Sequence, residues 1–175
     1  AARVAHHRRL RVERRHRHVA RAVAAREAGR SIAFEAAIGG GIPIVAAISE
    51  CLTGNQISSI RGILNGTSNF ILTKMEQEGS NYHDVLALAQ SEGYAEADPT
   101  MDVDGTDATQ KLALLAHLAF GRWVDWATIP RYGLETVDQE LLRFADELGY
   151  RIRVVADANH RRALLSLRVG PALVR

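Results

Sequence analysis

Between Gly93 and Lys111 the chain packs five acids, Glu96, Asp98, Asp102, Asp104 and Asp107, together with one of its two lysines. Asp107 and Lys111 stand four residues apart. On a helix that spacing puts both on one face, with the acid on the N-terminal side, the better order for an ion pair. A carboxylate so placed holds an ammonium in partial shelter from water. An ammonium there can give its proton to a carbonyl oxygen or take one from an alcohol. Glu96 and Asp107 are also at hand as acceptors for an ammonium or hydroxyl of a substrate. A plainer arrangement uses the same residues: Thr106 or Asp107 caps the helix, Asp102 and Asp104 are solvated turn residues, and Lys111 lies on the surface.

The elements that must hold these groups follow from turn signals and apolar periodicity. Gly93, Asp98-Pro99 and Asp104-Gly105 make the acidic stretch a loop, and the Ala- and Leu-rich residues 107–120 read as a mostly buried helix. Further helices are expected over residues 19–28, stopped by Gly29, over 43–52, over 67–77 ending at Gly79, over 82–91, and over 137–148 ending at Gly149. Strands are expected over 31–36 and 56–64, with a hairpin formed by 150–156 and 163–169. Residues 122–133, which hold both tryptophans, read as irregular. The sum is a two-layer α/β (α+β) unit, a mixed β-sheet covered by helices on one face.

Three blocks are Phe34-Glu35-Ala36-Ala37-Ile38-Gly39-Gly40-Gly41-Ile42-Pro43-Ile44, Gly62-Ile63-Leu64-Asn65-Gly66-Thr67-Ser68-Asn69-Phe70-Ile71-Leu72, and Gly93 to Lys111. In order and spacing they resemble the catalytic domain of homoserine dehydrogenase, over residues 19–175. The resemblance implies NADP- or NAD-dependent interconversion of L-homoserine and L-aspartate 4-semialdehyde, on the route to threonine, methionine and isoleucine. It implies that Lys111 is the acid/base lysine, that Glu96 and Asp107 bind the amino acid substrate, and that Gly93 lies against the nicotinamide cofactor. It also implies a monovalent cation such as sodium, ringed by Glu35, Ile38, Gly40 and Ile42, chiefly through backbone carbonyls. A Gly-Gly-Gly turn suits that, because backbone can approach closely and point carbonyls inward. Read without the family, the same turn is a strand-to-helix connection with Pro43 near the first helical position. Asn65-Gly66-Thr67 is likewise a strand end and helix cap by itself, and a substrate-side loop by resemblance.

At 175 residues and 47% hydrophobic content the chain has material for one core, and no apolar run approaches the ~18 residues that span a bilayer. Its single cysteine, Cys51, excludes an internal disulfide framework and, beside Ile48 and Leu52, reads as a buried helical thiol in a cytoplasmic protein. Residues 1–30 carry ten arginines against two glutamates, a balance of +8; the remainder carries twelve basic residues against eighteen acids, a balance of −6. The basic arm has no aromatic residue before Phe34 for stacking bases, which argues against nucleic acid. Residues 1–18 therefore read as a disordered or non-native lead-in to an incomplete catalytic domain, 19–175.

No Gly-x-Gly-x-x-Gly turn follows a strand, so weak or absent binding of NADPH and NADH is expected of this stretch of chain. In the family the substrate domain carries the subunit interface, so a homodimer or larger species is expected. Two functions follow: an oxidoreductase domain acting on a small-molecule substrate, or a catalytically silent dimerisation or amino acid-binding module.

Overall fold

The structure is a computed structural model and describes residues 24, 27–30 and 34–175. The chain divides into two compact units, residues 1–35 and 36–175. In the first, the Ala28 N–H donates to the Ala24 carbonyl at 3.0 Å and Gly29 stops the turn at φ +61°, where a helix end was expected. The 1–18 lead-in, most of the helix expected over 19–28 and residues 31–33 of the first expected strand lie outside the described residues.

The second unit opens with a correction. Ala36, expected to end a strand, starts a short helix, α1 (Ala36–Gly39), closed by the Gly40 N–H donating to the Ala36 carbonyl at 3.2 Å. Two alanines favour the turn and Gly40, at φ +59°, ends it. Helix α2 (Ile44–Ala46) then widens into a π-helical turn, Ala47–Cys51. In that turn Ile48 is buried and Cys51 is exposed, so the expected buried thiol faces solvent instead.

Strand β1 (Ser59–Gly62) leads through Leu64 and Asn65 into α3 (Gly66–Glu78), followed by α4 (Tyr82–Ser91). The acidic loop contains one helical turn, α5 (Thr100–Val103), ahead of α6 (Thr106–Phe120). The irregular stretch holds 3-10 turns at Trp126–Thr128 and Leu134–Thr136. Helix α7 (Gln139–Glu147) precedes strands β2 (Arg151–Arg161) and β3 (Leu164–Val174).

The three strands pair in the order β1-β2-β3, both ladders antiparallel. Among the described residues, the parallel component of the sheet is a single bridge, Arg131 to Val169. Alternate β2 residues Ile152, Val154, Ala156 and Ala158 are buried, so this face meets the layer of α3, α6 and α7. Opposite them, Ile71, Leu72 and Met75 of α3 and Leu112 of α6 are fully buried. Truncating a side chain of this kind to alanine costs ~2–5 kcal/mol. Helix α6 is two-sided: Leu112 enters this core, while Leu115 packs with Ile38 and Ile48 in a second cluster.

Asn69 ties the layers together. Its Nδ2 donates to the carbonyls of Asn65 and Val154, and its Oδ1 accepts from the Val154 N–H at 3.0 Å. The start of α3 is thereby fixed to the central strand. Among the described residues, no helix is long and apolar enough to cross a membrane.

Candidate active site

Local rules bring three pieces of backbone to one point. Asn65 caps α3 in extended conformation, its Oδ1 accepting from the Ser68 N–H at 2.8 Å. Asp104 supplies the cap of α6 that the plainer arrangement gave to Thr106 or Asp107: its Oδ1 accepts from the Thr106 N–H at 2.8 Å, with Gly105 at φ +81° in the N-cap position. Asp98 accepts from both the N–H and Oγ1 of Thr100 and so starts α5. Each acid of the loop that is not free to face the site is spent on starting a helix.

Asp107 and Lys111 are one turn apart on α6, as their spacing predicts, with Lys111 Nζ 2.8 Å from Asp107 Oδ2. The lysine also donates to the Leu64 carbonyl at 3.0 Å. Their side chains are 23% and 29% exposed, lysine first. A surface pair of this spacing is worth only about 0.3–0.5 kcal/mol to a helix. Stability alone is a weak reason for it, and Lys111 is not the free surface lysine of the plainer arrangement.

Asn65 Nδ2 donates to Asp102 Oδ1 at 2.7 Å and to Asp107 Oδ2 at 2.9 Å. Sequence reasoning passed over Asp102 as a turn residue. The signal was available in the apolar neighbours Met101 and Val103, but α5 and α6 are separate helices, so no single helical period links Asp102 to Lys111. Burial pushes the Asp102 carboxyl above the ordinary carboxylate range. The Asn65 hydrogen bond pulls it back down, Asp107 pushes it up, Lys111 pulls it down and Glu96 adds a further upward push.

Glu96 is exposed on the rim, within electrostatic reach of Asp102. Its loop is pinned from below, with Gln90 Nε2 donating to the Glu96 carbonyl at 3.2 Å and Thr67 Oγ1 donating to the Tyr94 carbonyl at 2.9 Å. The Tyr94 ring stacks on Phe70 of α3 at 4.3 Å. Gly93 is exposed at φ +80°, and a Cβ placed there would meet nothing within 4 Å, which leaves a planar group room to lie on its backbone.

Of the four residues expected around a cation, Ile38, Gly40 and Ile42 share one turn of the second unit, where the Ile42 N–H donates to the Gly39 carbonyl at 3.0 Å. Glu35 belongs to the first unit. Gly40 lies in the left-handed region, and the Ile42 carbonyl accepts from the Ile44 N–H at 2.8 Å. Among the described residues there is no group of three or more His, Cys, Asp or Glu side chains with metal-binding geometry.

The homoserine dehydrogenase family profile matches residues 43–175. The homoserine dehydrogenase of Pseudomonas aeruginosa is 47% identical over 150 residues, which is 86% of this chain and 35% of that protein. The crystal structure of a homoserine dehydrogenase from Thiobacillus denitrificans superposes with a TM-score of 0.80 at 46% identity, covering 86% of this chain and 35% of that one. A hyperthermophilic archaeal homoserine dehydrogenase mutant in complex with NADPH superposes at 0.65 with 30% identity, over 81% of this chain and 40% of that one. The chain thus spans about a third of the length of the curated relatives it matches, and it belongs to the homoserine dehydrogenase family.

Proposed function

We propose that this chain is the substrate-binding and proton-transfer part of an NAD(P)-dependent oxidoreductase that interconverts L-aspartate 4-semialdehyde and L-homoserine. The observation that carries the reading is Lys111, held between Asp107 Oδ2 and the Leu64 carbonyl beneath an acidic loop. An ammonium has three hydrogens, and these two contacts use two. The third is the one available to a substrate oxygen.

Gly93 would lie against a bound nicotinamide, which would supply the hydride. As the aldehyde carbon gains that hydride, the carbonyl π pair passes to oxygen, and Lys111 delivers a proton to it, completing the alcohol. The neutral amine recovers a proton from water, and Asp107 favours that recovery by stabilising the ammonium. Glu96 and Asp107 accept from the substrate's ammonium, which orients its aldehyde end toward Lys111. A monovalent cation such as sodium is assigned to the turn of Ile38, Gly40 and Ile42, through backbone carbonyls. The exposed Ile63, Leu164 and Leu173 support self-association of the domain.

The test is kinetic, in a polypeptide that also contains a nucleotide-binding domain. Lys111→Ala is expected to lower kcat ~10²-fold or more with little change in KM for the semialdehyde, because the proton is delivered only in the transition state. Glu96→Ala is expected to raise KM strongly instead. If Lys111→Ala left activity and stability both within about 0.5 kcal/mol of the parent, the lysine would be a surface group and the chain a silent amino acid-binding or dimerising module.

A further inference from the structure

Asn65 is 4% exposed and its carboxamide is fully committed. Oδ1 accepts from the Ser68 N–H, and the two Nδ2 hydrogens go to Asp102 and Asp107. This arrangement fixes the orientation of the amide, since the reversed one would set its oxygen against two carboxylates and its nitrogen against an N–H. Asp107 Oδ2 accepts from Asn65 and also from Lys111, and the carbonyl next to Asn65, that of Leu64, takes a second lysine hydrogen. Every ionisable group at the base of the site therefore touches residue 64 or 65.

We propose that Asn65 is a positioning residue: its amide holds the carboxyl groups of Asp102 and Asp107 side by side, and so sets Asp107 as the partner of Lys111. Two carboxylates within reach of one nitrogen repel, and without donors between them such a pair takes up a proton. The amide supplies one N–H to each, and at Asp102 that hydrogen bond favours the ionised form. The groups facing the pair are Lys111 from α6, Glu96 from the loop and Asn65 from the cap of α3; Asp104 is turned to the Thr106 N–H. A helix cap alone requires only the oxygen of residue 65. The two donors are surplus to capping, and only an amide has them.

The inference rests on the proposed homoserine site, and the two are separable in one set of measurements on this chain. Asn65→Ser keeps an oxygen for the Ser68 N–H but loses both donors. By carboxyl NMR titration, the Asp102 carboxyl in this variant is expected to take up its proton at higher pH than in the parent, because its charged form has lost a hydrogen-bond donor. The fold, read by circular dichroism, should persist.

In the parent itself, the Asn65 side-chain amide protons are expected to shift with the same midpoints as the two carboxyls, a readout that does not depend on any variant folding. Amide protons that stay flat across that range, or an unchanged titration in folded Asn65→Ser, would overturn the role of Asn65. Added L-homoserine is expected to move the Glu96 and Lys111 signals in the parent and to bind at least ~10-fold more weakly to Asn65→Ser, which is ~1.4 kcal/mol. A parent that ignores L-homoserine while its amide and carboxyls titrate together would remove the substrate reading and leave the positioning role of Asn65 standing.

Discussion

Asp102 is the residue whose charge the fold resists most visibly. Burial takes water from its carboxyl, and Asp107 and Glu96 repel it, so its folded pKa lies above the unfolded one despite the pull of Asn65 and Lys111. A native carboxyl that keeps its proton at a pH where the unfolded chain has lost it makes stability fall as pH rises. The loss begins in the ordinary carboxylate range near pH ~4 and is complete once pH passes the raised value. Asp102→Asn keeps an oxygen for the Asn65 amide and abolishes that titration. Its urea midpoint is expected to match or exceed the parent's at neutral pH, with a flatter pH dependence through this window. Parallel midpoint curves for the two proteins, measured from acid to neutral pH, would show that Asp102 carries no such cost.

The elements are held where they are by contacts as close as those in the site. Gly133 lies against α5: a Cβ on it would sit 2.6 Å from the Val103 carbonyl oxygen, a backbone atom with nowhere to go, besides the movable Glu135 side chain at 2.2 Å. Gly133→Ala is therefore expected to displace the turn that carries Asp102 and to cost ~1–3 kcal/mol, the usual scale of overpacking. Thermal unfolding would measure it, and a melting temperature equal to the parent's would mean that α5 adapts freely.

Much at this scale was legible in the sequence. The helix over 82–91 is found where Asn81 and the apolar period place it, and that over 107–120 begins one residue early, at Thr106. The hairpin was legible only in part. The first strand was expected to stop at 156, yet β2 continues through Asp157, Asn159 and Arg161, because the face away from the helices tolerates charge and Asp157 pairs with Arg61 at 3.0 Å. The true turn is Arg162-Ala163, both in the left-handed region at φ 48° and 68°. Two-residue hairpins of that geometry are normally announced by Asn or Gly, and this one has neither. The site was legible where one helix carries both partners, as with Asp107 and Lys111. It was hidden where partners meet across 37 and 42 residues, as Asn65 does with Asp102 and Asp107.

Taken whole, the described chain ends its sheet on an eleven-residue strand, β3, covered on its outer side only near Val169 by residues 130–132. A long edge strand is a template for further pairing. Leu164 and Leu173, at its two ends, are 72% and 54% exposed, and Ile63 beyond β1 is 51% exposed. The chain is expected to associate into a homodimer or larger species through this edge. Sedimentation at tens of micromolar would read it, and a clean monomer would remove both the edge and the apolar ends as an interface.

Asn65 is followed by Gly66, and that dipeptide is chemically fragile. In a loose chain the Gly66 nitrogen attacks the Asn65 carboxamide carbon, ammonia leaves, and the cyclic imide opens with water to aspartate or isoaspartate. Here the carboxamide is tethered by three hydrogen bonds and buried, so it cannot swing onto its own peptide bond without first abandoning the cap and both carboxylates. The fold thus acts as a preservative for its own site. Ageing should convert Asn65 far faster in urea than in native buffer, as peptide mass spectrometry would record; equal rates would mean that the tether opens freely. Any molecule that does age at this position would replace the bridging amide with a third carboxylate, so time spent unfolded should leave a lasting mark on the refolded protein.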